Sequence, residues 1–496
     1  MSTINRVYKN IGASMLPQFV NIVSNFIIPV LIIEAFGSQI NGLVTTVRSI
    51  ISYISLVGAG ITVAVVQSLY APVAQKDENT VRGMLRATND MFNKSGYIYL
   101  IIVLLVSFIY PLLVEGDISF TTKCLLLLVM SISGASEFFV VGRCRSLLYA
   151  SQKVYVCTTV QAFSLLFSLI LAVIMLKFGA NIVFVQLAIS VVYVMRAFLL
   201  SYYVRKNYPQ YVKINNVRPI KSAVSKRNEA MVHQLSGLFI FGSQSIILSM
   251  MVGLEAASIY SVYNIIFSGL AAICGNLNTA ITPFIGRTFA ISSIDKVRRE
   301  FNVIEFVYFI ITSIIFAVTS VTILPFVSIY TNAADIDYKL PLFALLFTIS
   351  QLFNIFRQPY STLINVAGHF KETRNRAIIE SILCIGFSII FTYTSGIYGV
   401  LIGTGIALFW RCLDMLYYCH KHILHNSIKV SVFRLVGVIS IVLFVYFFVS
   451  KDKNLSNFFQ WTTFALEIFL LVACILILVI AVFERKSLQM VLSYIK

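Results

Sequence analysis

The chain has 496 residues, of which 58% are hydrophobic and only 12% charged, with a mean hydropathy of +0.88. A water-soluble chain of this length does not hide so much apolar side chain. The formal net charge of +18 suggests nucleic acid, but the distribution of the basic residues excludes it below. Aliphatic and aromatic runs of about 20 residues, the length a helix needs to cross a bilayer, recur throughout. They are too long for the roughly 10-residue alternating segments of a membrane β-barrel. The fold class expected is an all-α polytopic membrane protein.

The opening "MSTINRVYKNIGASM" is polar and passes straight into the first apolar run, so no cleavable signal peptide is expected. Fourteen spans are expected in chain order: 12–33, 42–70, 92–114, 121–142, 156–177, 180–204, 231–253, 256–284, 303–330, 340–365, 377–394, 397–419, 431–450 and 459–483. With the N-terminus in the cytoplasm, 29 lysines and arginines fall on the inner side, 5 outside, and 4 (Arg48, Arg196, Arg357, Arg411) within spans. That asymmetry places both termini in the cytoplasm. It assigns the basic surplus to orientation and lipid headgroups, with no nucleic-acid partner.

"RAFLLSYYVRK" (196–206) and "RCLDMLYYCHK" (411–421) carry arginine, two tyrosines and lysine at identical places, and each closes a sixth span. "SEFFVVGR" (136–143) matches "SQLFNIFR" (350–357) at nearly the same offset. A duplicated six-span unit is the reading. It gives an N-terminal half at 1–204, a basic cytoplasmic linker at 205–230, a C-terminal half at 231–421, and two additional spans with a short tail at 422–496. An even number of spans per half makes the repeat parallel, with two bundles flanking a central cavity suited to alternating access.

Polar residues at helical spacing mark an interior face, because lipid-facing surfaces are apolar. Span one carries Ser14, Gln18, Asn21 and Asn25; span two Arg48, Ser49, Ser52 and Ser55; span seven Gln234, Gly237 and Gln244; span eight Asn264 and Ser268. Any one of these also serves to hold helices together by hydrogen bonds; together they predict a water-accessible cleft lined by Gln18, Asn21, Asn25, Arg48, Ser52, Gln244, Asn264 and Ser268. Pro17 and Pro29 are expected to bend span one. Arg48 lies on the polar stripe with no acid at i±3 or i±4. Arg411 and Asp414 are placed to pair along one helix face. Arg196 and Arg411 read as structural anchors, and Arg143 and Arg357 as anchors or as the rim of an inner mouth. Glu137 is a candidate proton or ion site.

No catalytic constellation emerges, and neither a metal site nor a cofactor is expected. The eight cysteines follow no framework spacing and read as small apolar packers. The histidines of "HKHILH" (420–425) are spaced to scatter round a helix and read as solvated loop.

"KNIGASMLPQFVNIVSNFIIPVLI", "LYAPVAQKDENTVRGMLRA" (69–87), "LLYASQK" (147–153), "LINVAGHFKETRNRAI" (363–378) and "GIYGVLIGTGIA" (396–407), on a plan of six, six and two spans, resemble the multidrug/oligosaccharidyl-lipid/polysaccharide flippase superfamily. The chain looks most like its bacterial polysaccharide flippases of the O-antigen or capsule type. The resemblance implies a transporter rather than an enzyme, in the bacterial cytoplasmic membrane, moving undecaprenyl-diphosphate-linked oligosaccharide to the outer leaflet by ion-coupled alternating access. It implies membrane lipids as surroundings and association with polysaccharide-assembly proteins. Arg48 matches the family's cavity cation; Asn264 and Ser268 stand where a second cation would. The alternatives are a multidrug or metabolite exporter of the same superfamily and, in another class, a membrane glycan polymerase or acyltransferase. The latter is disfavoured by outer loops too short to hold catalytic groups.

Overall fold

The computed structural model describes residues 3–212, 217–220, 242–449 and 455–495. They are helical almost throughout and form two compact units, Met1–Ser258 and Ile259–Lys496. Eleven helices among the described residues are long and apolar enough to cross a membrane. They reconcile with fourteen expected spans in three places. Spans one and two lie in one helix, the tenth is broken into two short helices at Arg357, and the first part of the seventh, 231–241, lies outside the described residues, as does more than half of the expected linker.

Unit 1 begins with α1 (Thr3–Ile54), which continues through Pro17 and Pro29. Its non-helical backbone is instead at Gly37, with φ 82° and ψ 172°, a conformation that a Cβ would oppose. A short 3₁₀ turn at Ser55–Gly58 and a left-handed Gly60 then interrupt span two before α2 (Ile61–Gln75). Next come α3 (Glu78–Leu113), α4 (Phe120–Ser136), a π-helical turn at Glu137–Val141, α5 (Gly142–Ala150), α6 (Val154–Lys177), α7 (Ile182–Asn207), the short α8 (Pro209–Val212) and α9 (242–251). Helix α1 packs on α4 and α6, and α7 on both of those. Ile101, Leu105, Phe108 and Leu112 leave an exposed apolar stripe on α3, as a lipid-facing surface requires.

Helix α10 (Leu254–Ile291) begins at the end of unit 1 and continues into unit 2. There follow α11 (Ile294–Tyr330), α12 (Pro341–Phe356), α13 (Gln358–Ala367), α14 (Phe370–Ser395), α15 (Ile397–Tyr418), a π-helical turn at Cys419–Leu424, α16 (Lys429–Phe448), α17 (Phe458–Phe483) and α18 (Arg485–Ile495). Helices α14 and α15 meet almost backbone to backbone. A Cβ on Gly399 would lie 2.0 Å from the Phe391 carbonyl oxygen, and one on Gly403 2.2 Å from the Ser388 amide nitrogen. This is the small-xxx-small contact that lets membrane helices approach without a hydrophobic driving force. Helices α16 and α17, the two added spans, pack on α11.

Seven of the eight cysteines are buried and all are free, with Cys474 alone exposed. One expectation is corrected. His420 is buried, its Nε2 2.7 Å from the Ser431 hydroxyl and its Nδ1 2.5 Å from Asn426 Oδ1. The π-helical turn rotates it inward from the solvated loop that its spacing suggested.

Candidate functional site

The two arms of α1, on either side of Gly37, wall one side of a cavity of about 480 Å³ in unit 1; α4, α6 and α7 wall the other. Asn21, Ser24 and Asn25 come from the first arm and Arg48 and Ser52 from the second. Ser133 comes from α4, Ser168 from α6, and Gln186, Ser190 and Tyr193 from α7. The apolar complement is aliphatic and methionine, including Ile28, Ile51, Met130 and Leu169. A polar lining this rich inside a helix bundle is costly unless water or a ligand occupies it.

Arg48 is the single cation lining this cavity, and its side chain is exposed to it. Among the described residues no carboxylate lies within ion-pair distance of its guanidinium, although eleven such contacts tie other basic groups to acids. Its neighbour one turn on, Ser52, donates to the Arg48 carbonyl oxygen at 2.9 Å. That contact ties the hydroxyl to the helix.

Glu137 opens the π-helical turn after α4 and is held between two cations. Arg145 Nη1 lies 2.5 Å from one carboxylate oxygen and Arg196 Nη2 3.0 Å from the other. Arg196 also sits over the Tyr193 ring, 5.3 Å from its centroid, so this cluster backs directly onto the cavity wall. Arg145 donates to Thr62 Oγ1 at 3.2 Å. A second cavity of about 390 Å³, lined by Ser52, Ser55, Gly60, Thr62, Glu137 and Arg145 among others, shares Ser52 with the first. The interruption of span two at Gly58–Gly60 lies in its wall, where irregular backbone in a membrane is tolerated because it faces a cavity.

Of the residues singled out in sequence, the structure gathers Asn21, Asn25, Arg48 and Ser52 in one cavity. Gln18 is exposed and lies outside it, although it shares the Asn21–Asn25 face of the helix about one turn nearer the N-terminus. Gln244 is buried in α9 and does not line it. Gln234 lies outside the described residues. Asn264 and Ser268 belong to unit 2, where Ser268 bonds back to the Ile265 carbonyl at 2.9 Å. Arg143 donates to Asn89 Oδ1 at 3.2 Å. Arg357 pairs with Glu380 at 2.5 Å, and Arg411 with Glu380 at 3.2 Å and Asp414 at 2.6 Å. The contributions of α4, α6 and α7 were missed. Gln186, Ser190 and Tyr193, spaced 4 and 3 apart, carried the same helical signature as span one.

No protein-family model matches the sequence, and no curated protein is significantly similar to it. Solved structures do share its fold. The lipid II flippase MurJ in an inward closed conformation aligns with a TM-score of 0.66 at 15% identity, covering 94% of this chain and 98% of that one. An inward-facing multidrug resistance MATE family transporter of the MOP superfamily aligns with 0.61 at 14%, covering 82% and 97%. A eukaryotic MATE transporter aligns with 0.57 at 12%, covering 88% and 99%. The chain therefore has the fold of the MOP-superfamily transporters and is a multi-pass membrane protein.

Proposed function

We propose that this protein is a flippase that moves an undecaprenyl-diphosphate-linked oligosaccharide from the inner to the outer leaflet of the bacterial cytoplasmic membrane, by ion-coupled alternating access with both termini cytoplasmic. The observation that carries this is Arg48, a cation left without a carboxylate and facing a polar cavity. Guanidinium holds phosphate oxygens bidentately and keeps its charge at any working pH. A cation facing a cavity inside the bundle with no carboxylate beside it has an anionic cargo group as its natural complement. The cavity of about 480 Å³ is the size of a small-ligand site, about 300–1,000 Å³. It takes the head of a lipid-linked molecule while the prenyl chain stays in lipid.

The neighbour named as a lipid II flippase spans 94% of this chain, which supports a lipid-linked cargo. An exporter of cationic drugs would need free carboxylate at the cavity, whereas Glu137 is neutralised by two arginines.

The test is Arg48→Gln. Surface polysaccharide is expected to stop while the protein reaches the membrane in normal amount, with lipid-linked oligosaccharide accumulating on the inner leaflet; Arg48→Lys is expected to retain part of the flux. Normal surface polysaccharide in Arg48→Gln would reduce Arg48 to a structural residue and remove the proposal's footing.

A further inference from the structure

A third cavity of unit 1, of about 720 Å³, plays no part in the site above. It lies where α2, α5 and α7 end and α3 begins, the inner side on the topology proposed above. The three cavities form a series. The first two share Ser52. Helices α2 and α5 pack on each other; they place Thr62 and Arg145 in the wall of the second cavity, and Ala74 and Ala150 in the wall of the third. The third is built from two stretches singled out in sequence, 69–87 and 147–153, with the junction of α7 and α8. Lys76 and Gln152, both at φ 57°, are two of the three non-glycine residues with positive φ among the described residues. Glycine is the usual choice there, yet each position keeps an exposed polar residue at this cavity.

The chemistry of the lining is that of a neutral, polar ligand. Lys76 and Glu78 cancel in charge, so an anion is not selected. Gln152 and Gln210 are exposed amides, which both donate and accept. Tyr70 is 52% exposed and offers aromatic surface. Tyr208 is braced, with Lys153 Nζ 4.9 Å from its ring centroid and Tyr211 stacked on it at 6.2 Å. Amides, balanced charge and an open aromatic ring complement a sugar unit, which carries hydroxyls round its edge and C–H groups on its faces. We propose that this cavity is a loading site that binds sugar units of the oligosaccharide before the diphosphate reaches Arg48. This rests on the flippase reading of the first cavity and adds a second, separate point of recognition.

The experiment measures binding of two probes to the purified full chain in lipid nanodiscs. One is undecaprenyl diphosphate; the other is the free oligosaccharide released by mild acid from the lipid-linked oligosaccharide of the host cells. The wild type is expected to bind both. Tyr70→Ala and Gln152→Gly are expected to weaken the oligosaccharide about tenfold and leave undecaprenyl diphosphate bound as before. Glycine takes φ 57° without strain, so Gln152→Gly is expected to melt no lower than wild type. Arg48→Gln is expected to do the reverse, weakening undecaprenyl diphosphate alone. Tyr202→Ala, at an exposed tyrosine of α7 outside the cavity, is expected to change neither. A wild type that binds only undecaprenyl diphosphate, or Tyr70 and Gln152 variants that weaken both probes or neither, overturns the loading site while the flippase reading stands. If those variants bind both probes normally yet lose surface polysaccharide, the cavity is a docking face for another protein and the sugar assignment is overturned. A wild type that binds neither probe overturns the flippase reading, and the loading site with it.

Discussion

Arg196 and Arg411 occupy the same place in two repeated stretches, yet their surroundings differ. In unit 2, Arg411 lies inside a chain of alternating charge. Arg357 pairs with Glu380, Glu380 with Arg411, Arg411 with Asp414, and Asp414 with Arg376. Arg434, fully buried, faces two acids: its Nε and Nη2 take both oxygens of Glu484 at 2.9 and 3.1 Å, and its Nη1 takes Glu305 at 3.0 Å. In unit 1, Arg196 and Arg145 share a single carboxylate, and Arg48 has none. Cations in unit 2 act as internal cross-links, fastening α14 to α15 and the added helix α16 to α11 and the end of α17. Unit 1 leaves positive charge uncommitted beside a cavity. An arginine neutralised from within has no charge to offer a passing anion.

The comparison breaks most visibly at Arg434. Replacing it with methionine leaves Glu305 and Glu484 buried without their cation, a loss of about 3–5 kcal/mol for a broken buried pair. Arg434→Met is expected to lower the melting temperature of the purified protein sharply and deplete it from the membrane. Arg48→Gln is expected to melt as wild type. Equal stability of the two variants would erase the distinction between cross-linking and uncommitted arginines.

Arg411→Gln removes less, because Glu380 keeps Arg357 and Asp414 keeps Arg376. The loss is that of hydrogen bonds to charged groups, about 1.5–3 kcal/mol. Arg196→Gln is smaller again: Glu137 keeps Arg145 at 2.5 Å and is 27% exposed, so the effect is about 1 kcal/mol or less. Thermal melts should rank the three as Arg434, Arg411, Arg196. An Arg196 variant as unstable as the Arg411 variant would contradict the ranking, and would mean that the contact with the Tyr193 ring matters more than the ion pair.

What could be read from sequence follows how far apart the partners lie. The Arg411–Asp414 pair is local and was legible from its i, i+3 spacing. Glu380, its other partner, sits on the preceding helix, and nothing in the sequence pairs the two. The polar face of span one carries Asn21 and Asn25, which line the cavity, and Gln18, which lies on the same face a turn beyond its end; spacing gives the face but not how far along it the cavity reaches. Ser168 was not legible for another reason, whereas Gln186 was carried by the Gln186–Ser190–Tyr193 spacing. A lone serine on an apolar helix reads as helix–helix glue, and only the packed structure reveals that the Ser168 hydroxyl has no hydrogen-bond partner. The helix break at Gly37 was obscured by Pro17 and Pro29, which the α-helix accommodates.

The smallest effect expected lies in unit 1 at the membrane edge. Asp77 caps α3, its Oδ1 accepting the Thr80 amide at 3.1 Å. Hydrogen bonds from the Thr80 side chain and then its backbone hold this carboxyl below its ordinary value of 3.8, with burial a weaker opposing influence. A carboxyl depressed in the folded state stabilises the protein above its unfolded pKa, and that contribution disappears as pH falls through the lower folded value. Asp77→Ala should therefore melt slightly below wild type near neutral pH, and the gap should narrow as pH falls below the ordinary carboxylate range and through the depressed folded value. Asp77→Asn separates the cap from the charge. Asparagine caps nearly as well as aspartate, so it should track wild type near neutral pH but show none of the acid dependence. A gap between wild type and Asp77→Ala that stays constant down to the acid limit would mean that the cap acts through shape alone. The charge at the edge of unit 1 would then be as idle in stability as that of Arg48 is expected to be.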